Sequence, residues 1–307
     1  MKILVTCPPM LKQIEEYRSL FEDKNIELVT PQVVQIMTEE QLMQILPQMD
    51  GWIIGDDPAT EQVFAAGVAG NLKAAVKWGV GVDNVDFEAC KKLNIPIINT
   101  PGMFGNEVSD VAIGMMLNLT RRLHDIDREV RNGNWIKPVG NSTAGKKVGV
   151  VGFGDIGLSI GRKLVAFDME VIAYDPHARS EFGIPVCTFP DEIESLDYLF
   201  LACALNDSTY HLINKEILDK LKPTAILVNV SRGPLIDEQA LIASLQEGKF
   251  RGVGLDVFEE EPLSVASPLA SFDKCFFGSH NGSNTKEAVD KTSYKAINLL
   301  FGFLEKE

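Results

Sequence analysis

The chain has 307 residues, of which 29 are Lys or Arg and 43 are Asp or Glu, so its formal net charge is −14. A single small domain is excluded, because one hydrophobic core stops growing at roughly 250–300 residues. The negative charge disfavours nucleic acid and anionic membranes as partners.

The apolar and cysteine patterns favour a cytoplasmic protein. No apolar stretch approaches the roughly 20 residues of a membrane span, and the first apolar run is too short for a signal peptide. The five cysteines are scattered without a C-x-x-C pair, which indicates reduced thiols and neither disulfides nor a metal site.

Short apolar runs alternate with helical patterns over residues 1–99. The runs that indicate strands are 2–6, 26–29, 51–54, 74–77 and 95–98. This alternation is typical of a parallel sheet with helices on both faces. We therefore predict an α/β, flavodoxin-like first domain.

A second α/β series follows a long helical pattern over residues 105–132. Its strand-like runs are 147–151, 170–174, 198–203, 225–230 and 252–257, and residues 286–304 are again helical by period. We predict a doubly wound second domain over residues 100–286, inserted into a first domain made of residues 1–99 and 287–307.

A glycine-rich turn joins the strand-like run 147–151 to the next helical segment. It reads Gly152-Phe153-Gly154-Asp155-Ile156-Gly157. In this context the first glycine permits a tight turn, the second lets backbone N–H groups approach a pyrophosphate, and the third lets the helix pack closely. The turn predicts that residues 100–286 bind a dinucleotide.

The following strand-like run ends at Asp175, where a carboxylate binds ribose hydroxyls and repels a 2′-phosphate. We therefore predict NAD as the cofactor, while the neighbouring His177 and Arg179 leave NADP as an alternative. The predicted cofactor-binding residues are Gly152, Gly154, Asp155, Ile156, Gly157 and Asp175.

Oxidation of an alcohol by hydride loss needs a base for the hydroxyl proton, and histidine suits this role near neutral pH. His280 is the best candidate, because it follows the apolar run 275–277 in a loop where ligands meet an α/β sheet. The remaining histidines, at positions 124, 177 and 211, lie in segments that indicate structural or solvent-exposed roles.

An arginine and a carboxylate follow two other strand-like runs. Arg232 comes after residues 225–230, where its forked donors suit the carbonyl and carboxylate of a 2-oxo acid. Glu261 comes after residues 252–257, where a carboxylate beside His280 would hold the ring and favour its charged form. Taken singly, each of the two residues also fits a surface ion pair.

Segments from nearly the whole chain together resemble the D-isomer-specific 2-hydroxyacid dehydrogenase family, including its phosphoglycerate dehydrogenase-like members. These segments are residues 77–86, 99–102, 133–135, 152–157, 229–233, 254–262 and His280. The resemblance implies two Rossmann-like domains, a homodimer, and NAD-dependent hydride transfer between the nicotinamide and C2 of a D-2-hydroxy acid or 2-oxo acid.

The resemblance also implies roles for individual residues. Arg232 would orient the 2-oxo acid, His280 would transfer the proton, and Glu261 would support His280. Asp256 would hold the nicotinamide carboxamide. Residues 1–99 with 287–307 would be the substrate-binding domain, in which the backbone N–H groups of Gly79 and Val80 bind the substrate carboxylate. The substrate-binding residues implied are Lys77, Trp78, Gly79, Val80 and Arg232.

Some positions depart from the family pattern. Asp56 and Asp57 lie where phosphoglycerate enzymes usually carry an arginine, which disfavours a phosphate. Lys77 and Lys137 could nevertheless bind a phosphate, so a phosphorylated substrate remains an alternative. Ser279 precedes the expected catalytic histidine, where the family commonly has proline.

Two other functions are alternatives to a 2-hydroxyacid dehydrogenase. Glu261 disfavours formate dehydrogenase of the same fold, which has Gln at that position. An NAD(H)-sensing interaction protein, similar to transcriptional co-repressors, is the alternative from a different class. Turnover by the purified protein separates it from an enzyme.

Overall fold

The computed structural model describes residues 1–305, which divide into two compact units. The first unit is formed by Met1–Met103 together with the segment that begins at Asn284, and the second by Phe104–Ser283. Within residues 1–305, no helix combines the length and the apolar character needed to cross a membrane.

Each unit is built on one sheet of parallel strands. The first sheet contains β1 (Lys2–Val5), β2 (Glu27–Val29), β3 (Gly51–Ile54), β4 (Ala74–Lys77) and β5 (Ile97–Asn99). The second contains β6 (Lys147–Val151), β7 (Glu170–Tyr174), β8 (Val186–Cys187), β9 (Tyr198–Leu201), β10 (Ile226–Asn229), β11 (Gly252–Leu255) and β12 (Cys275–Phe277).

Helices connect most of the strands, as parallel pairing requires. They are α1 (Pro8–Lys12), α2 (Ile14–Glu22), α3 (Glu39–Ile45), α4 (Glu61–Val68), α5 (Phe87–Lys92), α6 (Gly105–Arg121), α7 (Leu123–Arg131), α8 (Asp155–Ala166), α9 (Lys215–Lys220), α10 (Glu238–Gln246) and α11 (Lys286–Leu304). Although α11 lies at the far end of the chain, it packs on β3 and β4 of the first unit.

The strand orders confirm the predicted fold class. The first sheet has the order β2-β1-β3-β4-β5, which is flavodoxin-like, and the second has the doubly wound order β8-β7-β6-β9-β10-β11-β12. Strands β3, β4, β9, β10 and β11 are buried at every residue, as expected for apolar strands covered on both faces. The carboxyl ends of the strands therefore meet at one edge of each sheet.

The helical pattern over residues 105–132 forms two helices rather than the single one predicted. Arg122 separates α6 from α7 with a left-handed φ of 54°, an uncommon conformation for a residue with a side chain. Arg122 and Arg128 both donate to the buried carboxylate of Asp125 at 2.8 Å, and these contacts stabilise the bend. Apolar periodicity alone did not reveal this break.

Three predicted strands also end earlier than their apolar runs. β9, β10 and β11 stop at Leu201, Asn229 and Leu255, whereas the runs continue to residues 203, 230 and 257. The residues beyond these strand ends leave the sheet and lie along its carboxyl edge, where the candidate functional side chains are found.

Candidate active site

The glycine-rich turn between β6 and α8 is shaped by two glycines that no larger residue can replace. A Cβ at Gly152, whose φ is +85°, would lie 2.4 Å from the backbone of Cys203. A Cβ at Gly157 would lie 1.9 Å from the carbonyl oxygen of Gly152. These close approaches bring the first turn of α8 directly against the end of β6.

Gly154 has a different environment. A Cβ built on Gly154 would meet no protein atom within 4 Å, and its φ of −77° is accessible to other residues. Packing within the protein therefore does not require glycine here. Gly154 is the N-cap of α8, so the open space lies at a helix N-terminus, where N–H groups and the helix dipole favour an anion. This turn fits the pyrophosphate of NAD.

The next two predicted cofactor-binding residues, Asp155 and Ile156, are the first residues of α8. The carboxylate of Asp155 lies against Gly105 at the start of α6, where a Cβ would be only 2.6 Å from its Oδ1 atom. The Asp155 side chain therefore contacts α6, and its backbone at the helix start is the part that faces the open space.

Asp175 lies directly after β7. Its Oδ2 atom accepts a hydrogen bond from the N–H of Phe153 at 2.8 Å, and its Oδ1 atom accepts from those of His177 and Ala178 at 2.8 and 3.1 Å. Desolvation raises the pKa of Asp175, but these N–H donors outweigh it and hold the pKa below its usual value. An ionised carboxylate beside the glycine turn suits ribose hydroxyls and repels a 2′-phosphate.

His280 and Glu261, which are 19 residues apart, form a direct pair. The Nδ1 atom of His280 lies 2.7 Å from Oε2 of Glu261, and Oε1 of Glu261 accepts from the N–H of Phe258 at 3.0 Å. Both side chains are partly accessible, with 23% and 20% of their surface exposed. The carboxylate therefore holds Nδ1 and fixes the orientation of the imidazole ring.

The loop that carries His280 is held by Asp256. The N–H groups of Asn281 and Gly282 donate to its two carboxylate oxygens at 3.2 and 2.9 Å, and the N–H of His280 donates to its carbonyl at 2.6 Å. His280 itself has a left-handed φ of 53°, a strained conformation that such contacts maintain. Asp256 is only 2% exposed and holds this loop, while its contact with the nicotinamide carboxamide stays a prediction.

Arg232 follows β10, which pairs with β11, and β11 pairs with β12. The three strands are parallel neighbours, so the segments carrying Arg232, Glu261 and His280 leave the sheet at the same edge. The next residue, Gly233, touches the backbone after β11: a Cβ there would lie 1.9 Å from the carbonyl carbon of Phe258. Gly233 thus fixes the arginine loop against the segment that carries Glu261, a constraint the sequence did not indicate.

Lys77 and Trp78, predicted to bind substrate, lie at the end of β4 in the first unit. Lys77 is 2% exposed, and its Nζ atom donates to the carbonyl of Gly55 at 2.5 Å and to Oδ1 of Asp56 at 2.9 Å. The indole of Trp78 is 5% exposed and donates to Oγ of Ser293 in α11 at 3.1 Å. Trp78 thus packs against α11, and its contact with the substrate stays a prediction.

The segment Gly79-Val80 follows directly and is held by residues after β5. The N–H of Gly79 donates to the buried Oγ1 of Thr100 at 2.8 Å, and Nδ2 of Asn99 donates to the carbonyl of Val80 at 3.0 Å. The N–H of Gly79 is thus hydrogen-bonded within the first unit, and binding of the substrate carboxylate by Gly79 and Val80 stays a prediction. Asn99 and Thr100 belong to the segment 99–102 that carries the family resemblance. Their positions in the sequence did not indicate that they hold the Gly79-Val80 segment.

Comparisons with known proteins agree with this geometry. A sequence model of the NAD-binding domain of D-isomer specific 2-hydroxyacid dehydrogenases matches residues 113–282. The chain is 37% identical over 250 residues to glyoxylate reductase from Thermofilum pendens. The matched region covers 78% of this chain and 74% of that protein. It is 34% identical over 272 residues to hydroxypyruvate reductase from Thermotoga maritima, covering 86% and 88%.

A solved structure extends the agreement to the whole fold. The apo structure of D-lactate dehydrogenase from Escherichia coli is similar with a TM-score of 0.85 at 28% identity, covering 100% of this chain and 98% of that one. Sequence similarity and fold point to the same family as the glycine turn and the His280–Glu261 pair. The chain therefore belongs to the D-isomer-specific 2-hydroxyacid dehydrogenases, and it is an NAD-dependent oxidoreductase that acts on CH–OH donors.

Proposed function

We propose that this enzyme reduces short 2-oxo acids of the glyoxylate or hydroxypyruvate type to the corresponding 2-hydroxy acids, with the D configuration wherever C2 becomes a stereocentre. The proposal is carried by the 2.7 Å contact between His280 and Glu261, which prepares an imidazole for proton transfer at the edge of a dinucleotide-binding sheet. The choice of acids is supported by relatives named glyoxylate reductase, hydroxypyruvate reductase and glyoxylate/hydroxypyruvate reductase B.

His280 is the proposed proton donor in the direction of reduction. Its protonated ring gives the Nε2 proton to the oxygen on C2, while Glu261 stabilises the positive charge and keeps Nδ1 protonated. Arg232 is proposed to bind the carbonyl and carboxylate oxygens through its forked donors, which fixes C2 for attack. The bound dinucleotide supplies the hydride.

The remaining predicted residues are proposed to bind the two ligands. The turn from Gly152 to Gly157 and the start of α8 hold the pyrophosphate, and Asp175 binds the ribose hydroxyls, which favours NAD over NADP. The N–H of Val80 is proposed to bind the substrate carboxylate, with the ammonium group of Lys77 close to this segment.

The exposed apolar side chains of the second unit support a homodimer. Leu123 and Val130 are 50% and 43% exposed on one side of α7, and Trp135 and Val139 in the following segment are 81% and 86% exposed. We propose that this face contacts a second copy. Sedimentation of Trp135→Glu should give a monomer where the wild type gives a dimer, and a wild-type monomer would contradict the proposal.

All five cysteines are free thiols, which supports the cytoplasm as the location of the protein. This reducing compartment also provides the NADH on which the proposed reaction depends. Fluorescence microscopy of a tagged chain would test this location, and a signal confined to another compartment would contradict it.

The test of the activity is NADH oxidation by the purified protein with glyoxylate, hydroxypyruvate, pyruvate and 3-phosphohydroxypyruvate. Fastest turnover with glyoxylate or hydroxypyruvate supports the proposal. His280→Ala should then lower kcat by a factor of about 10²–10⁴. Preference for 3-phosphohydroxypyruvate would favour the phosphoglycerate dehydrogenase-like alternative. NADH binding without turnover of any acid would favour the co-repressor-like interaction protein.

A further inference from the structure

An ion pair with one buried partner lies at the carboxyl edge of the first sheet. The ammonium group of Lys77 is 2.9 Å from Oδ1 of Asp56, and the Lys77 side chain is 2% exposed whereas that of Asp56 is 36% exposed. The carbonyl of Gly55 accepts from Lys77 and also from Nδ2 of Asn84 at 3.1 Å. The ammonium group is thus fixed in place, and Asp56 is the carboxylate that reaches it from the solvent side.

The two neighbouring aspartates have separate functions. Asp57 is fully buried, and its carboxylate accepts from the N–H groups of Met37 and Gly55 at 2.7 and 3.1 Å and contacts the hydroxyl of Thr6. These contacts hold the ends of β1 and β3 together. Asp57 therefore faces inward, and Asp56 alone of the pair places a charge at the surface of this edge.

The ion pair adjoins the segment proposed to bind the substrate carboxylate. A Cβ built on Gly79 would lie 3.9 Å from Nζ of Lys77. Strand β3, which precedes Asp56, pairs with β4 and borders the crossover between β1 and β3 where such sheets bind ligands. A 2-oxo acid anchored by its carboxylate after β4 would therefore lie beside the Lys77–Asp56 pair.

We propose that Asp56 selects the charge of the substrate. By pairing with Lys77 it cancels the ammonium charge that would otherwise attract a second anionic group, and its carboxylate is the more exposed end of the pair. The site then accepts 2-oxo acids with one negative charge and excludes those that carry an additional phosphate or carboxylate. This inference rests on the proposed function and names the substrate class.

The test compares hydroxypyruvate with 3-phosphohydroxypyruvate and oxaloacetate in wild type and Asp56→Asn. The amide keeps an oxygen for Lys77 but removes the negative charge. The ratio of kcat/KM for each doubly or more highly charged acid to that for hydroxypyruvate should rise by at least about tenfold. A general loss of activity lowers kcat/KM for both acids alike, so the ratio of the two reports charge selection alone.

Glu27→Gln is the matched control. Glu27 pairs with Lys2 at 3.0 Å, but both side chains are exposed and lie on β2 and β1 away from the Gly79-Val80 segment. This variant should leave the ratio unchanged. If Asp56→Asn does not fold, Asp56→Ser removes the same charge.

An unchanged ratio in a folded, active Asp56 variant would overturn the inference. A wild type that turns over none of the acids would instead overturn the proposed function. The two failures are therefore distinguished by the wild-type control.

Discussion

Replacement of Gly154 by alanine should weaken NADH binding without weakening the fold. No protein atom lies within 4 Å of the added methyl group, and the backbone φ of −77° suits alanine, so the free energy of unfolding should change by less than about 0.5 kcal/mol. The methyl group would instead occupy the space that the pyrophosphate approaches at the N-terminus of α8.

The loss of NADH affinity can be estimated from the hydrogen bonds that backbone N–H groups at this site make to a phosphate. One hydrogen bond from a backbone N–H to a charged phosphate contributes about 1.5–3 kcal/mol. Its loss corresponds to a dissociation constant for NADH that is about 10- to 150-fold higher. Fluorescence titration with NADH measures this constant, and thermal unfolding of the unliganded protein measures the stability.

Two other glycines provide controls. Gly114→Ala in α6 also meets no atom within 4 Å but lies outside the glycine turn, so NADH binding should be preserved and stability should stay the same or rise by up to about 1 kcal/mol. Gly157→Ala places a methyl group 1.9 Å from a backbone oxygen and should cost about 1–3 kcal/mol of stability. NADH binding by Gly154→Ala within twofold of wild type would refute the assignment of the open space to the cofactor.

Three further variants test other contacts. Asp175→Ala removes the ribose acceptor and frees backbone N–H donors for a 2′-phosphate, so the NADPH-to-NADH ratio of kcat/KM should rise by about tenfold or more; an unchanged ratio would remove Asp175 from the cofactor site. Thr100→Val leaves the Gly79 N–H without its acceptor, so KM for the 2-oxo acid should rise more than kcat falls, and steady-state kinetics that show the reverse would contradict this. Burial raises the pKa of Asp57 above its ordinary value of 3.8, despite opposing hydrogen bonds, so its ionisation opposes folding. In urea unfolding, the stability of wild type relative to Asp57→Asn should therefore be greatest below pH 3.8 and decrease as the pH rises; a constant or increasing difference would contradict this sign.

The sequence by itself determined the fold class, the family and the cofactor. Apolar runs separated by helical segments specify parallel sheets, because strands covered on both faces must be apolar along their whole length. The glycine turn and Asp175 specify NAD, because their roles depend on positions within one local strand-turn-helix unit. Local patterns of this kind are readable without knowledge of distant contacts.

Contacts between distant residues were decided only by the tertiary structure. The break at Arg122 depends on a buried carboxylate, and the pairing of His280 with Glu261 depends on a loop that is held by Asp256. The buried position of Trp78 and the inward direction of Asp57 likewise depend on neighbours in other elements. The sequence names such side chains as candidates, but packing decides which of them face a ligand and which support the fold, because burial and hydrogen-bond partners are set across elements that are far apart in the chain.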